Sequence, residues 1–203
     1  MLRSSSALRS SSLSATTFVR HVHRGAVVSL QATGGESGSS VTGPVRGGEE
    51  IMKEKQHGTS EKPVQKDLRW NCDFQTADRI CNFNRHYAEH SGYWQTKKEF
   101  VDKLMEENKK GGGPIDFYDS VTGELLFSAP KGRTYEMFIK ESMSHGWPSF
   151  RDEEVNWENV RILQDGECVS TTGTHLGHNI PDTKGNRLVT PCTAYVKCLS
   201  LLY

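Results

Sequence analysis

His175 and His178, separated by Leu176-Gly177, are the side chains of this chain best suited to acid–base work near neutral pH. An imidazole protonates, or hydrogen-bonds, an oxygen that gains basicity during a reaction. Upstream, Gly146-Trp147-Pro148-Ser149-Phe150 offers two aromatic faces, Trp147 and Phe150, that can hold a small apolar group such as the methyl of a methylthioether. Together these residues suit a sulfoxide, which carries both a basic oxygen and an apolar substituent. Taken singly, the two aromatics fit a core or a loop anchor equally well, and the histidines fit a turn or a metal pair. The chain has five cysteines, Cys72, Cys81, Cys168, Cys192 and Cys198, an odd number at irregular spacing, which argues against a secreted disulfide framework. A second constellation, Cys72, Cys81, His86 and His90, would place both histidines on one helical face as zinc ligands do. Its cysteines stand too far apart for a zinc finger, where roughly two to four residues separate them. The other reading of these four is a packed thiol with two surface imidazoles on a short helix ahead of Gly92.

The elements that must position these residues follow from periodicity and punctuation. Thr96-Lys97-Lys98-Glu99 is a capping box ahead of Phe100, Val101, Leu104 and Met105, which predicts an amphipathic helix that Gly111-Gly112-Gly113-Pro114 stops. Ile115 to Tyr118 and Glu124 to Ser128 read as a hairpin around Asp119 to Gly123. Tyr135, Phe138, Ile139 and Met143 line one stripe of a second helix, from Thr134 to Ser144, with Gly146 as its C-terminal stop. Asn156 to Leu163 and Glu167 to Thr172 flank Gln164-Asp165-Gly166, a strong hairpin signal, and the His-Leu-Gly-His run leaves that hairpin. The expected fold class is mainly β with a few helices, an α+β domain of small antiparallel sheets.

The chain has 203 residues, 34% of them hydrophobic, with 25 basic residues balancing 25 acidic ones. That is too polar for one well-buried globule, so part of it is expected to be solvated. Neutral balance gives no footprint for nucleic acid, and no run approaches the ~18 apolar residues of a membrane span. Residues 1–35 carry Arg3, Arg9, Arg20 and Arg24, many serines and no carboxylate, which reads as an organelle transit peptide, mitochondrial or alternatively plastid. Residues 36–67 have linker composition and are expected to be disordered. Residues 68–111 form a helical N-terminal extension, and residues 112–203 the domain that carries the motifs.

From Ile115 to Arg187 the chain resembles the type B peptide-methionine (R)-S-oxide reductases, through Tyr118 to Phe127, Gly146 to Phe150, His175 to His178 and Gly185-Asn186-Arg187. The resemblance implies a β-tent of small antiparallel sheets, reduction of protein-bound methionine-R-sulfoxide, and recycling by a thiol reductant such as thioredoxin, with no organic cofactor. It implies Trp147 and Phe150 as substrate-binding residues, His175 and His178 around the sulfoxide oxygen, and Arg187 beside the thiolate or the substrate. Many members hold zinc with two C-x-x-C pairs. Here those positions are Asp119 and Thr122, then Val169 and Thr172, as in the zinc-free branch, and no metal is expected. The family's nucleophilic cysteine falls on Val189. Cys192 is the substitute, three residues along and, in an extended strand, about 10 Å away on the opposite face. The expected partners are an oxidised protein or peptide and a thioredoxin-like reductant, with the chain itself a monomer. The alternatives are a non-catalytic relative that binds methionine or oxidised-methionine segments, and a zinc module built on Cys72, Cys81, His86 and His90.

Overall fold

The computed structural model describes residues 43–69, 72–85 and 98–190. The transit segment 1–35, His86, His90, Cys192 and Cys198 lie outside the described residues, as do Thr96 and Lys97 of the capping box. The described chain is an α+β unit with helix and strand in about equal measure. Three helices are seen, α1 (Phe74–Asp78), α2 (Lys98–Lys109) and α3 (Tyr135–His145). They stand beside two antiparallel sheets. One pairs β1 (Ile115–Tyr118) with β2 (Leu125–Ala129). The other is built from β3 (Ser149–Phe150), β4 (Val160–Ile162), β5 (Glu167–Ser170), β6 (His175–Asn179) and β7 (Leu188–Val189), in the order β3-β7-β6-β5-β4.

Local chemistry accounts for the element ends. Thr134 caps α3 by accepting the Met137 N–H at 3.2 Å, and Gly146 ends it in the left-handed conformation at φ 81° with its N–H on the Ser142 carbonyl. The β1–β2 turn is held by Asp119, whose Oδ1 accepts the Val121 N–H at 2.7 Å. β4 is shorter than the expected strand from Asn156. The amides of Asn156 and Asn159 turn back to the Leu125 carbonyl, at 2.9 and 3.0 Å, and bend the chain before pairing begins.

Two further departures from expectation matter. Residues 43–67, read from composition as disordered linker, are an ordered strap on the sheet. The Gly47 N–H donates to the Ile162 carbonyl and the Ile162 N–H to the Val45 carbonyl, both at 3.0 Å, so the strap runs along the free edge of β4. Met52 then buries itself against Leu163 and Val169. The Lys55 ammonium closes the strap by donating to the Ile51 and Thr59 carbonyls at 2.7 and 2.6 Å. Gly173, at φ +100°, lets it seat, because a Cβ there would fall 2.1 Å from the Thr59 carbonyl oxygen. Backbone pairing and one buried methionine order this segment, which is why its polar composition misleads.

The second departure is Phe150. It has no exposed surface and lies at the centre of the main core, stacked on Phe127 at 4.3 Å and edge-on to Phe117 at 5.0 Å. The ring expected to touch substrate is therefore a packing element, and Trp147 just outside β3 packs partly buried against the same core. Phe150→Ala should destabilise the fold by about 3–5 kcal/mol, read as a lower denaturant midpoint at unchanged slope.

Candidate functional site

His175 and His178 are three residues apart on one strand, so regular alternation would send them to opposite faces. The register shows otherwise. Glu167 pairs with His178, Cys168 with Gly177 and Val169 with His175, which leaves Leu176 unpaired as a bulge. Glu167 and Val169, two apart on β5, share a face, and so their partners His178 and His175 share it too. Leu176 goes to the main core with Phe150 and Leu188. The imidazoles meet edge to face, with centroids 5.8 Å apart and planes at 64°. They are not equivalent. His175 is 2% exposed, whereas His178 is exposed and is the ring that an incoming ligand can reach.

β7 continues this face. Val189 pairs with His178 on one side and with Ser149 on the other. The Gly-Trp-Pro-Ser-Phe run, the His-Leu-Gly-His run and the residues after Arg187 thus become three adjacent strands, with Val189, 5% exposed, between the other two. The position where the resembled family carries its nucleophile is here a buried aliphatic side chain. Cys168 does not replace it. It lies wholly within the core, where burial, then the Glu167 charge, pushes its thiol far above the ordinary range. Cys81 is buried with Val64, Ala77 and Ile80, and Cys72 packs partly buried beside them.

Behind the imidazoles lies an ion network that motif reading missed. Glu167 Oε1 is 2.6 Å from His175 Nδ1, while Oε2 accepts Arg85 Nε at 2.8 Å and an Arg85 Nη2–H as well. Arg85 also pairs with Glu49 of the strap. Burial works against the charge on Glu167, but the hydrogen bonds from His175 and Arg85 outweigh it and hold the carboxyl below its usual range. The bond to Glu167 first, then that to Glu49, raises the Arg85 guanidinium above its ordinary value. Arg85 stands just beyond the π-helical turn Arg79–Phe83 that continues α1, far in the chain from the His-Leu-Gly-His run that it supports.

Arg187 faces elsewhere. Its side chain is nearly buried, its Nε donates to the Ile180 carbonyl at 3.0 Å and its Nη1 contacts the His145 ring. Burial, then the Arg187 charge, lowers His145 below the ordinary imidazole range. His145 lines a cavity of about 610 Å³, together with Arg133, Glu141, Arg151 and Asn186. Neither Trp147 nor His175 nor His178 lines it. Its walls are cross-braced. Glu141 bridges Arg133 and Arg151, buried Glu154 takes Arg133, and Arg151 grips Asp182 through two bonds at 2.9 and 2.8 Å. That grip, aided by the Lys184 N–H, holds Asp182 well below the usual carboxylate range.

The positions that carry zinc ligands in many reductases of the resembled family hold a hydrogen-bond cluster here. Buried Asp119 accepts the Thr174 hydroxyl at 2.9 Å and the Thr172 hydroxyl at 3.2 Å, tying the β1–β2 turn to the β5–β6 turn. One carboxylate, two threonines and Val169 are not a thiolate set, and the carboxylate is spent on internal donors. Among the described residues no group of three or more His, Cys, Asp or Glu could hold a metal ion.

The ionised form of Glu167 is the one the fold favours. Its contribution to stability is present above the ordinary carboxylate range and is lost as pH falls through its lowered folded value. Unfolding free energies of the wild type and Glu167→Gln, taken from neutral pH down to about pH 3, should therefore differ most at neutral pH and converge on acidification. Compared with family models, curated proteins and solved structures, the chain matches none.

Proposed function

We propose that this chain reduces protein-bound methionine-R-sulfoxide, with His178 as the imidazole that meets the sulfoxide oxygen and His175 behind it. The observation that carries the reading is the adjacency of β3, β7 and β6, which sets His178, Val189 and Ser149 side by side where the resembled family gathers its site. In the reaction, an imidazolium donates a proton to the sulfoxide oxygen as a thiolate attacks the sulfur. The S–O bond breaks, methionine leaves, and the thiol becomes a sulfenic acid. A dithiol of the thioredoxin class then reduces the sulfenic acid, releasing water and taking up the disulfide. Cys192 is the proposed thiol, on the chain just beyond Val189 and Thr190. Trp147 is the proposed aromatic partner of the substrate methyl group. A mitochondrial site of action accords with the basic, serine-rich segment 1–35. Among the described residues no helix is long and apolar enough to cross a membrane.

One observation favours a second reading. Val189 is buried at the nucleophile position with no polar atom to offer, an arrangement that suits recognition of methionine or oxidised-methionine segments without reduction. A thioredoxin-coupled assay on a methionine-R-sulfoxide peptide separates the two. Turnover that Cys192→Ser abolishes and His178→Ala lowers by about 10²-fold or more supports the reductase. Absence of turnover with saturable binding of the peptide supports the second reading, and turnover that survives Cys192→Ser contradicts Cys192 as the nucleophile.

A further inference from the structure

We infer that Arg85 and Glu167 are positioning residues of the imidazole pair, and that they fix His175 as the tautomer with its proton on Nδ1. The inference rests on the reading of His175 and His178 as the working imidazoles of the site. Its first support is the saturation of Glu167. This carboxyl is 2% exposed, it receives Arg85 at Oε2 through two N–H donors, and its other oxygen faces His175 Nδ1 at 2.6 Å. A carboxylate held by a guanidinium is ionised, and an ionised carboxylate only accepts hydrogen bonds. His175 Nδ1 must therefore be the donor. Neutral His175 is left with Nε2 as its only acceptor, and a proton taken up by the ring lands there.

The second support is the route by which the clamp reaches the ring. Glu167 lies on β5 directly opposite His178 and diagonally across from His175, so the residue whose carboxylate holds His175 is also the cross-strand partner of His178. Arg85 comes from the turn that follows α1, and the Arg79–Phe83 turn is itself pinned from the strap, where the Thr59 N–H donates to the Asn82 carbonyl at 2.9 Å. A Cβ on Gly58 would sit 2.0 Å from that carbonyl oxygen, which shows how closely the strap rests on the turn. The segment before the motif-bearing domain thus supplies the group that decides which nitrogen of His175 is basic. Glu49 contributes less, since its side chain is 66% exposed and its pairing with Arg85 is open to solvent.

The test is the ¹⁵N–¹H correlation spectrum of the histidine rings in the labelled full-length chain at a pH where His175 is neutral. The expected pattern for His175 is a protonated, pyrrole-type Nδ1 and an unprotonated, pyridine-type Nε2. Arg85→Leu and Glu167→Gln should shift His175 toward a mixture of tautomers, and Arg85→Lys, which keeps the charge, should retain more of the wild-type pattern than Arg85→Leu does. A wild-type His175 protonated on Nε2 would overturn the inference without any variant having to fold. An unaltered His175 pattern in both Arg85→Leu and Glu167→Gln would overturn it as well. The spectrum is independent of turnover. An inactive chain with Nδ1-protonated His175 counts against the proposed reduction alone, and an active chain with the opposite tautomer counts against the positioning role alone.

Discussion

The whole site depends on one irregularity, the unpaired Leu176 in β6. Without it His175 would point into the aromatic core, where an imidazole has no partner, and His178 would stand alone on the outer face. With it, both rings meet on the face that Glu167 and Val189 also occupy, and Leu176 fills the core position that a regular strand would have given to a polar residue. A single-residue bulge thus converts a strand of mixed character into a two-sided element, with Leu176 toward Phe150 and both imidazoles on the face of Glu167.

That division of faces organises the energetics. On the inner side, four fully buried phenylalanines, Phe117, Phe127, Phe138 and Phe150, interlock, and the short strands gain order from packing that pairing alone would not supply. On the outer side, charge-assisted bonds and close backbone contact add to the small apolar cluster of Met52, Leu163 and Val169. Arg85 meets Glu167, Lys55 sits in a carbonyl nest, and His57 pairs with Asp78 at 2.7 Å. Asp119 joins the two regimes by fixing the turn that leads into β6 to the turn of the small sheet.

Much of this was legible in the chain itself. The caps of α3, the hairpin around Asp165-Gly166 and the β1–β2 hairpin follow from turn and cap residues with local causes, and they stand where those residues put them. The adjacency of β3, β7 and β6 is not dictated by the order of the motif segments and comes from the sheet topology. What escaped was non-local. The strap at residues 43–67 carries its order in backbone pairing and in two long side chains, Met52 and Lys55, features that composition does not register. Arg85 stands beside His86 in a segment that reads as a zinc constellation, and nothing in that spacing ties it to His175. Phe150 suits a core and a pocket equally well by residue type, and its burial in β3 against β7 places it in the core. The bulge was invisible because alternation counts residues, not partners.

The shared face of the two imidazoles is most directly tested by ring-proton nuclear Overhauser contacts in solution. The account predicts contacts between the His175 and His178 rings and between the His178 ring and the Val189 methyls, across β6 and β7. Contacts from the His175 ring to Phe150 or Leu188, in place of His178, would contradict it, because they would mean that β6 runs through without the bulge.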